Sequence, residues 1–366
     1  MALAAVLVLV TLQVLLIFVH CAVYATLAAA FGIGGTALKI VFTVLAFTFL
    51  SASVLAHRYR GRVIDWFYTA AAYWFGLVHF LFVGAILFVL SANVLYRTNY
   101  YVPPPFLGGV AFGALFLLHC YGTWKSGRVA TMFVDVALPH LPASWRGKAI
   151  VFVSDLHLGN VRRQAFARRV AEKIRALHPE AVAIGGDLYD GTRCDAAALI
   201  EPLRSLRPPK GVYFVTGNHE YFLPNMAEAL AAIRALGIGI LNNEVANLEG
   251  LAIAGVDNRA VHHKNDFARV LHDMSIPKDK PTILIKHEPS HLTVARDAGI
   301  SLILSGHAHH GQIFPLNVLT RRIYHGFDYG LKRLDRMWVY TSSGAGTWGP
   351  PLRLGTKSEI VCITLR

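Results

Sequence analysis

Eight residues, Ser-Gly-His-Ala-His-His-Gly-Gln at 305–312, place three imidazoles within four positions. Four other short stretches carry the same kind of side chain. SDLHLG holds Asp155 and His157, GGDLYD holds Asp187 and Asp190, TGNHE holds Asn218, His219 and Glu220, and KHEP holds His287. Carboxylate, carboxamide and neutral imidazole form a mixed N/O donor set suited to manganese, iron or zinc. Each stretch alone has an ordinary reading: Asp155 caps a turn, Asp187 caps a helix, His287 is a satisfied core histidine, the triple His is a solvated loop. Together they offer seven ligands: Asp155, His157, Asp187, Asn218, His287, His307 and His309. A pair spaced i,i+2 just past a strand, such as Asp155 and His157, can point both ligands the same way. If one carboxylate is shared, two ions receive four donors each. Two ions about 3.5–4 Å apart can clamp a phosphoryl oxygen, stabilise a leaving oxygen and acidify a bridging water.

The five polar stretches share a position. Each follows a short β-branched run, and the carboxyl ends of strands are where α/β folds gather their chemistry. From Lys148 the pattern alternates. KAIVFVSD, AVAIGGD and VYFVTGN read as strands, separated by helical stretches at 162–178, AAALIEPLRSL and MAEALAAIRALG. GIGILNN, LAIAGVD, TILIKHE, SLILSGH, MWVYTSSG and EIVCITL then follow as strands. Alternation first and consecutive strands later predict an α/β domain of two stacked sheets covered by helices. RVATMFVDVALP, at 128–139, adds a strand before it.

The first third of the chain has a different chemistry. The 366 residues are 54% hydrophobic and only 16% charged, with a mean hydropathy of +0.45. Residues 1–124 contain five basic side chains and one acid, Asp65, a net of +4, whereas 125–366 hold 30 basic and 21 acidic ones, a net of +9. Apolar stretches at about 2–20, 36–56, 66–96 and 106–122 each reach the ~20 residues needed to cross a bilayer as helix. No Lys or Arg precedes the first, and no cleavage site follows it, so it reads as a span and not as a cleaved signal. The chain thus divides into a transmembrane helical region (1–124), a juxtamembrane linker and edge strand (125–147) and a globular domain (148–366). Loop 57–65 carries Arg58, Arg60 and Arg62, and Lys125 and Arg128 follow the fourth span, so the positive-inside rule places both in the cytoplasm. Four cysteines without framework spacing suit that compartment.

In order, D-x-H, G-D-x-x-D, G-N-H-E, a lone His and G-H-x-H resemble the signature of the calcineurin-like metallophosphoesterases, over residues 148–366. GHAHHGQIFPLN and SSGAGTWGPPLRLG look like the bacterial branch that carries transmembrane helices ahead of the catalytic domain. The resemblance implies a two-sheet sandwich and two divalent ions, manganese first, iron or zinc as alternatives. It implies that Asp155, His157, Asp187 and His309 hold one ion and that Asp187 bridges to a second held by Asn218, His287 and His307. His219 would face the phosphate as a catalytic residue, with Asp190 and Glu220 orienting ligands or His219. The reaction implied is attack by hydroxide bridging the ions on a phosphomonoester, phosphodiester or pyrophosphate. His310 stands where many relatives have glycine and reads as a rim residue.

For the substrate, the architecture favours a lipid-linked phosphate or pyrophosphate at the inner leaflet of a bacterial inner membrane, with membrane lipids as partners. The alternative is a tethered phosphodiesterase for a soluble substrate such as a cyclic nucleotide. RRQAFARR (162–169) reads as a solvated helix face or as a contact for anionic lipid heads or phosphates. In TWGPPLRLG, Trp348 and the apolar residues could line an acyl-accepting groove while Arg353 meets phosphate. No basic patch interleaved with aromatics marks a nucleic-acid surface. A scaffold that had lost catalysis should lack a ligand or the GNH histidine, and none is missing.

Overall fold

The computed structural model describes residues 2–366, with side chains from Val6 onward. It divides into two units, Met1–Trp124 with Gly349–Leu352, and Lys125–Trp348 with Arg353–Arg366.

The first unit consists of helices α1 (Ala2–Phe31), α2 (Thr36–Arg58), α3 (Arg62–Arg97) and α4 (Pro104–Ser126). All four are long and apolar enough to cross a membrane. Helix α1 runs eleven residues past the expected end at 20. Its polar side chains do not break it because they bond back one turn: His20 Nδ1 lies 2.7 Å from the Leu16 carbonyl, and Thr26 Oγ1 donates to Ala22 O at 2.8 Å. Val23, Phe42 and Val78 pack where α1, α2 and α3 meet. Ala30, Ala85, Phe88 and Phe112 do the same for α1, α3 and α4.

The second unit is a sandwich of two six-stranded sheets. The first comprises β1 (Val129–Val136), β2 (Ala149–Val153), β3 (Ala181–Ile184), β4 (Val212–Phe214), β5 (Gly239–Ile240) and β12 (Ser358–Leu365), in the order β1-β12-β2-β3-β4-β5. The second comprises β6 (Glu244–Leu248), β7 (Leu251–Gly255), β8 (Thr282–Ile285), β9 (Leu302–Ser305), β10 (Gly330–Leu334) and β11 (Met337–Thr341), in the order β10-β11-β9-β8-β7-β6. Residues 125–147, expected as linker and edge strand, belong to this unit, and β1 pairs in parallel with β12 from Val129↔Ser358 to Val136↔Leu365.

Period-two alternation sorts the strand side chains into layers. Ile150 and Phe152 point between the sheets to meet Ile253, Ile283, Ile285, Leu302 and Leu304. Val151 and Val153 point outward against α5 (Gln164–Arg175), α6 (Ala196–Ile200) and α7 (Met226–Ala235), through Phe166, Val170, Ile174, Ile200 and Ile233. On the far side Leu284, Ile303 and Val339 meet Phe267 and Leu271 of α8 (Lys264–Asp273) and Ala295 of α9 (Leu292–Asp297). The strands in the middle of both sheets are covered on two faces, which is why they read as continuous apolar runs. One further helix, α10 (Leu316–Ile323), buries none of its side chains.

Candidate metal centre

The five polar stretches converge. Asp155 and His157 follow β2, Asp187 follows β3, Asn218 and His219 follow β4, His287 follows β8, and His307 and His309 follow β9. The chain turns sharply at these strand ends. Asp155, His157, Asp187, His307 and His309 all have φ between +46° and +65°. A left-handed residue costs on the order of 1 kcal/mol, and Asp and His tolerate it better than bulkier types. That so many ligand candidates share it is the local strain expected where side chains are forced toward one point.

Three overlapping donor groups result, and two of them gather the ligand candidates. In the first, ligand atoms of Asp155, His157 and His309 all lie within 4.8 Å of one another. His157 Nε2 and His309 Nε2 are 3.0 Å apart, and Asp155 Oδ1 is 3.6 Å from His309 Nε2. In the second, Asp187, His287 and His307 meet under the same limit. His287 Nε2 lies 3.2 Å from Asp187 Oδ2, 3.1 Å from Asn218 Oδ1 and 3.3 Å from His307 Nδ1. Asp187 also reaches toward the first cluster, with Oδ2 3.8 Å from His157 Nε2. Among the described residues it is the carboxylate that belongs to the second cluster and also approaches the first.

The donor set fits a pair of cations. His287 Nδ1 sits 2.8 Å from the Gly185 carbonyl. A carbonyl only accepts, so that nitrogen carries the proton and Nε2 turns its lone pair to the cluster. Buried carboxylate oxygens, an amide oxygen and imidazole lone pairs facing one another call for positive charge between them. Without ions, protons supply it. Burial opposes charge on His287, but the neighbouring Asp187 carboxylate pushes its pKa up to about 10. Burial likewise opposes charge on Asp187, yet the imidazoles of His287 and His219 hold its carboxyl well below the usual range. A metal would take the place of those protons.

Around the donors, other residues hold the loops. Glu220 is fully buried, and its carboxylate accepts from the backbone N–H groups of Asp187 (3.0 Å), Leu188 (2.9 Å), Tyr189 (3.2 Å) and Gly217 (2.7 Å). It thereby clamps the β3 loop to the β4 loop. Burial and then the Asp187 charge push its pKa up to about 7, against four donors that favour the ionised form. The backbone N–H of His219 donates to Asp187 Oδ1 at 2.8 Å, and that of His307 to Asp155 at 3.0 and 3.2 Å. Asp190 acts twice: its carboxylate is 3.4 Å from His157 Nδ1, and its carbonyl accepts from His219 Nδ1 at 3.0 Å. His219 brings a ring nitrogen within 4.8 Å of ligand atoms of His157 and Asp187. Its ring meets Phe222 and Trp348 edge-on, with centroids 5.3 and 6.4 Å away, and both of those aromatics are exposed.

Arg353 faces the opposite way from its expected contact with phosphate. It is 0% exposed. Its guanidinium donates to the carbonyls of His309 (3.0 Å), Ser343 (2.6 Å) and Gly346 (2.7 Å) and lies 3.3 Å from His309 Nδ1. It is a positioning residue behind His309. His310 stands aside from both clusters, bonded to Asp328 at 2.9 Å and stacked on Tyr329. Three supporting residues had no assigned role in the sequence. Gln312 brackets Trp348, accepting from its N–H and donating to its carbonyl, each at 2.9 Å. Phe222 stands two residues after GNHE. Glu359, buried at 0%, accepts from Tyr329, Tyr340 and Ser342. Its signal was an isolated acid in the apolar run of β12.

Two sheets whose strand ends pool Asp, Asn and His form a site of the type that could hold a divalent metal. Residues 148–311 match the calcineurin-like phosphoesterase family. The chain is 34% identical over 221 residues to a metallophosphoesterase of Helicobacter pylori, covering 59% of each protein. It is 33% identical over 251 residues to a zebrafish (Danio rerio) transmembrane protein with metallophosphoesterase domain, covering 64% of this chain and 57% of that one. A metallophosphoesterase of Aquifex aeolicus is 32% identical over 226 residues, which cover 59% of this chain and 84% of the relative. The chain belongs to the calcineurin-like metallophosphoesterase family. It spans 59% and 57% of the length of the first two relatives. Relatives in both bacteria and vertebrates widen the resemblance beyond the bacterial branch.

Proposed function

We propose that this protein is a membrane-anchored, dinuclear-metal phosphoesterase that hydrolyses a phosphate ester or pyrophosphate of a lipid-linked substrate at the cytoplasmic face of a bacterial inner membrane. The observation that carries the reading is the pair of donor clusters sharing Asp187. Asp155, His157, Asp187 and His309 would hold one ion, and Asp187, Asn218, His287 and His307 the other. A set of imidazoles and oxygens without thiolate suits manganese, iron or zinc, and manganese is the first to test. Such ions supply Lewis acidity, neutralising phosphoryl oxygens and acidifying water.

The chain's own groups do the rest. The Asp190 carbonyl fixes the His219 Nδ1 proton. The opposite nitrogen, Nε2, is thus the one available to give a proton to the leaving oxygen or to bind a phosphoryl oxygen. Burial lowers the His219 pKa, ahead of the opposing pull of Asp187. Its charged form is therefore a stronger acid than an exposed imidazole. Trp348 and Phe222, exposed beside His219, give the mouth an apolar edge that suits a substrate with a lipid part. Four candidate spans would keep the site near such substrates. Arg58, Arg60 and Arg62 between α2 and α3, with Lys125 and Arg128 after α4, support the cytoplasmic placement.

The test uses full-length protein in detergent, stripped with chelator, reloaded with Mn²⁺, Fe²⁺ or Zn²⁺ and assayed on a lipid pyrophosphate and on cyclic AMP. Metal-dependent hydrolysis of the lipid is expected. Asp187→Asn should abolish it and lower bound metal below two equivalents. Hydrolysis of cyclic AMP alone would move the substrate to the soluble class. A reporter fused after residue 126 should fluoresce as a cytoplasmic fusion, and an exported signal would reverse the placement.

A further inference from the structure

Helix α10 is built inside out. Its half-buried positions are Asn317 and Thr320, continued by Tyr324, and these make polar contacts. Thr320 Oγ1 lies 3.2 Å from Asp328 Oδ2, and Tyr324 OH lies 3.5 Å from Glu288 Oε1. The apolar residues face water. Leu316 is 50% exposed, Leu319 54% and Ile323 55%, and the preceding Phe314 is 58% exposed. Leu316, Leu319 and Ile323 stand at i, i+3 and i+7, one stripe of a helix. Exposed Arg321 and Arg322 flank that stripe. A surface helix in water normally carries the reverse pattern, and a contiguous apolar patch of this kind marks an interaction surface.

We propose that α10 and Phe314 enter the headgroup region of the membrane that carries the spans, so that the catalytic mouth opens onto lipid. Three observations select a bilayer as the occupant. The stripe combines leucine, isoleucine and phenylalanine with arginines, the composition of a helix lying in an anionic interface. The catalytic unit is tethered at short range, since β1 begins at Val129 and α4 ends at Ser126. The helix is also joined to the rim of the site. It follows the His307–His309 loop after a few residues, Asp328 joins Thr320 to His310, and Gln312, two residues before Phe314, holds the backbone of Trp348. The inference deepens the lipid-substrate reading but stands on a separate observation, and its test separates the two.

Full-length protein with Cys21 and Cys120 replaced by serine takes an environment-sensitive fluorophore at Leu319→Cys; Cys194 and Cys362 are buried. Glu201→Cys, on the exposed turn after α6, serves as control. In vesicles of phosphatidylcholine and phosphatidylglycerol, the label at 319 should emit to the blue and be quenched by doxyl-labelled lipid. The control label should be neither. Water-like emission at 319 overturns the proposal. So does a blue shift that doxyl lipid leaves unquenched, which assigns the stripe to a second copy or a partner protein. The combined Leu316→Ser, Leu319→Ser and Ile323→Ser variant should keep its rate on a soluble aryl phosphate and lose about tenfold on a substrate embedded in vesicles. Equal rates on both substrates would overturn it. If the parent protein hydrolyses no lipid but the 319 label is quenched, the substrate reading falls and the membrane contact stands.

Discussion

His219 and the ligands around it answer different questions, and substitution separates them. Asp155, His157, Asp187, His287, His307 and His309 meet as donors, with Asn218 Oδ1 beside His287 and His307. His219 also brings a ring nitrogen among them, but its Nδ1 is held by the Asp190 carbonyl and its ring edges onto two aromatics. His219→Asn is therefore expected to lower kcat by about 10²–10⁴-fold, the worth of a positioned proton donor. Metal content by elemental analysis should not change. Parallel loss of metal would make His219 a ligand instead. The convergence of the candidate donors was legible because metal chemistry restricts them to a few types and the strand ends restrict their places. Arg353 was not legible. A guanidinium in GPPLRLG suits a phosphate as well as it suits a cage of carbonyls, and only burial distinguishes the two. Glu220 was seen as an orienting group, yet its four backbone partners come from two loops that no sequence pattern connects.

At the scale of elements, the site depends on how closely loops approach. A Cβ on Gly306 would stand 2.2 Å from Asp155 Oδ2, and one on Gly217 2.2 Å from Asp187 Oδ1. These glycines let one loop's backbone lie against another loop's carboxylate. Gly306→Ala is expected to displace Asp155 and weaken metal binding by about 10–100-fold, as loss of a supporting contact does elsewhere. Calorimetric titration of the chelated protein would measure it, with an unchanged far-ultraviolet spectrum showing that the sheets persist. The apolar strands were readable from their runs. Strands β6 and β10 were not, because EVANL and GLKRL lie half exposed and carry polar residues without a clean apolar run or a period-two alternation. The helix expected across AAALIEPLRSL ends at Ile200 and tightens into a 3-10 turn over Glu201–Ser205, as Pro202 lacks the N–H the helix needs. Helices α8, α9 and α10 escaped the periodic reading. In α10 the reason is plain, since its polar residues face inward.

For the whole molecule, composition alone separated an apolar front third from a charged remainder; the structure groups Met1–Trp124 with Gly349–Leu352, and Lys125–Trp348 with Arg353–Arg366. Composition could not show that the second unit is closed by its two most distant strands. β1, just after the last membrane helix, lies in parallel register with β12 over eight positions, and β12 alone separates it from β2. Removing residues 358–366 should leave the spans inserted and the remainder open to protease in isolated membranes. A protease-resistant truncated domain would contradict that role. The same pairing sets an order of events during synthesis. The apolar front third leaves the ribosome first, but β1 beside it waits until Ser358–Leu365 has been made. Until then its neighbour does not exist, and the nascent chain carries its apolar helices before its first sheet can be assembled.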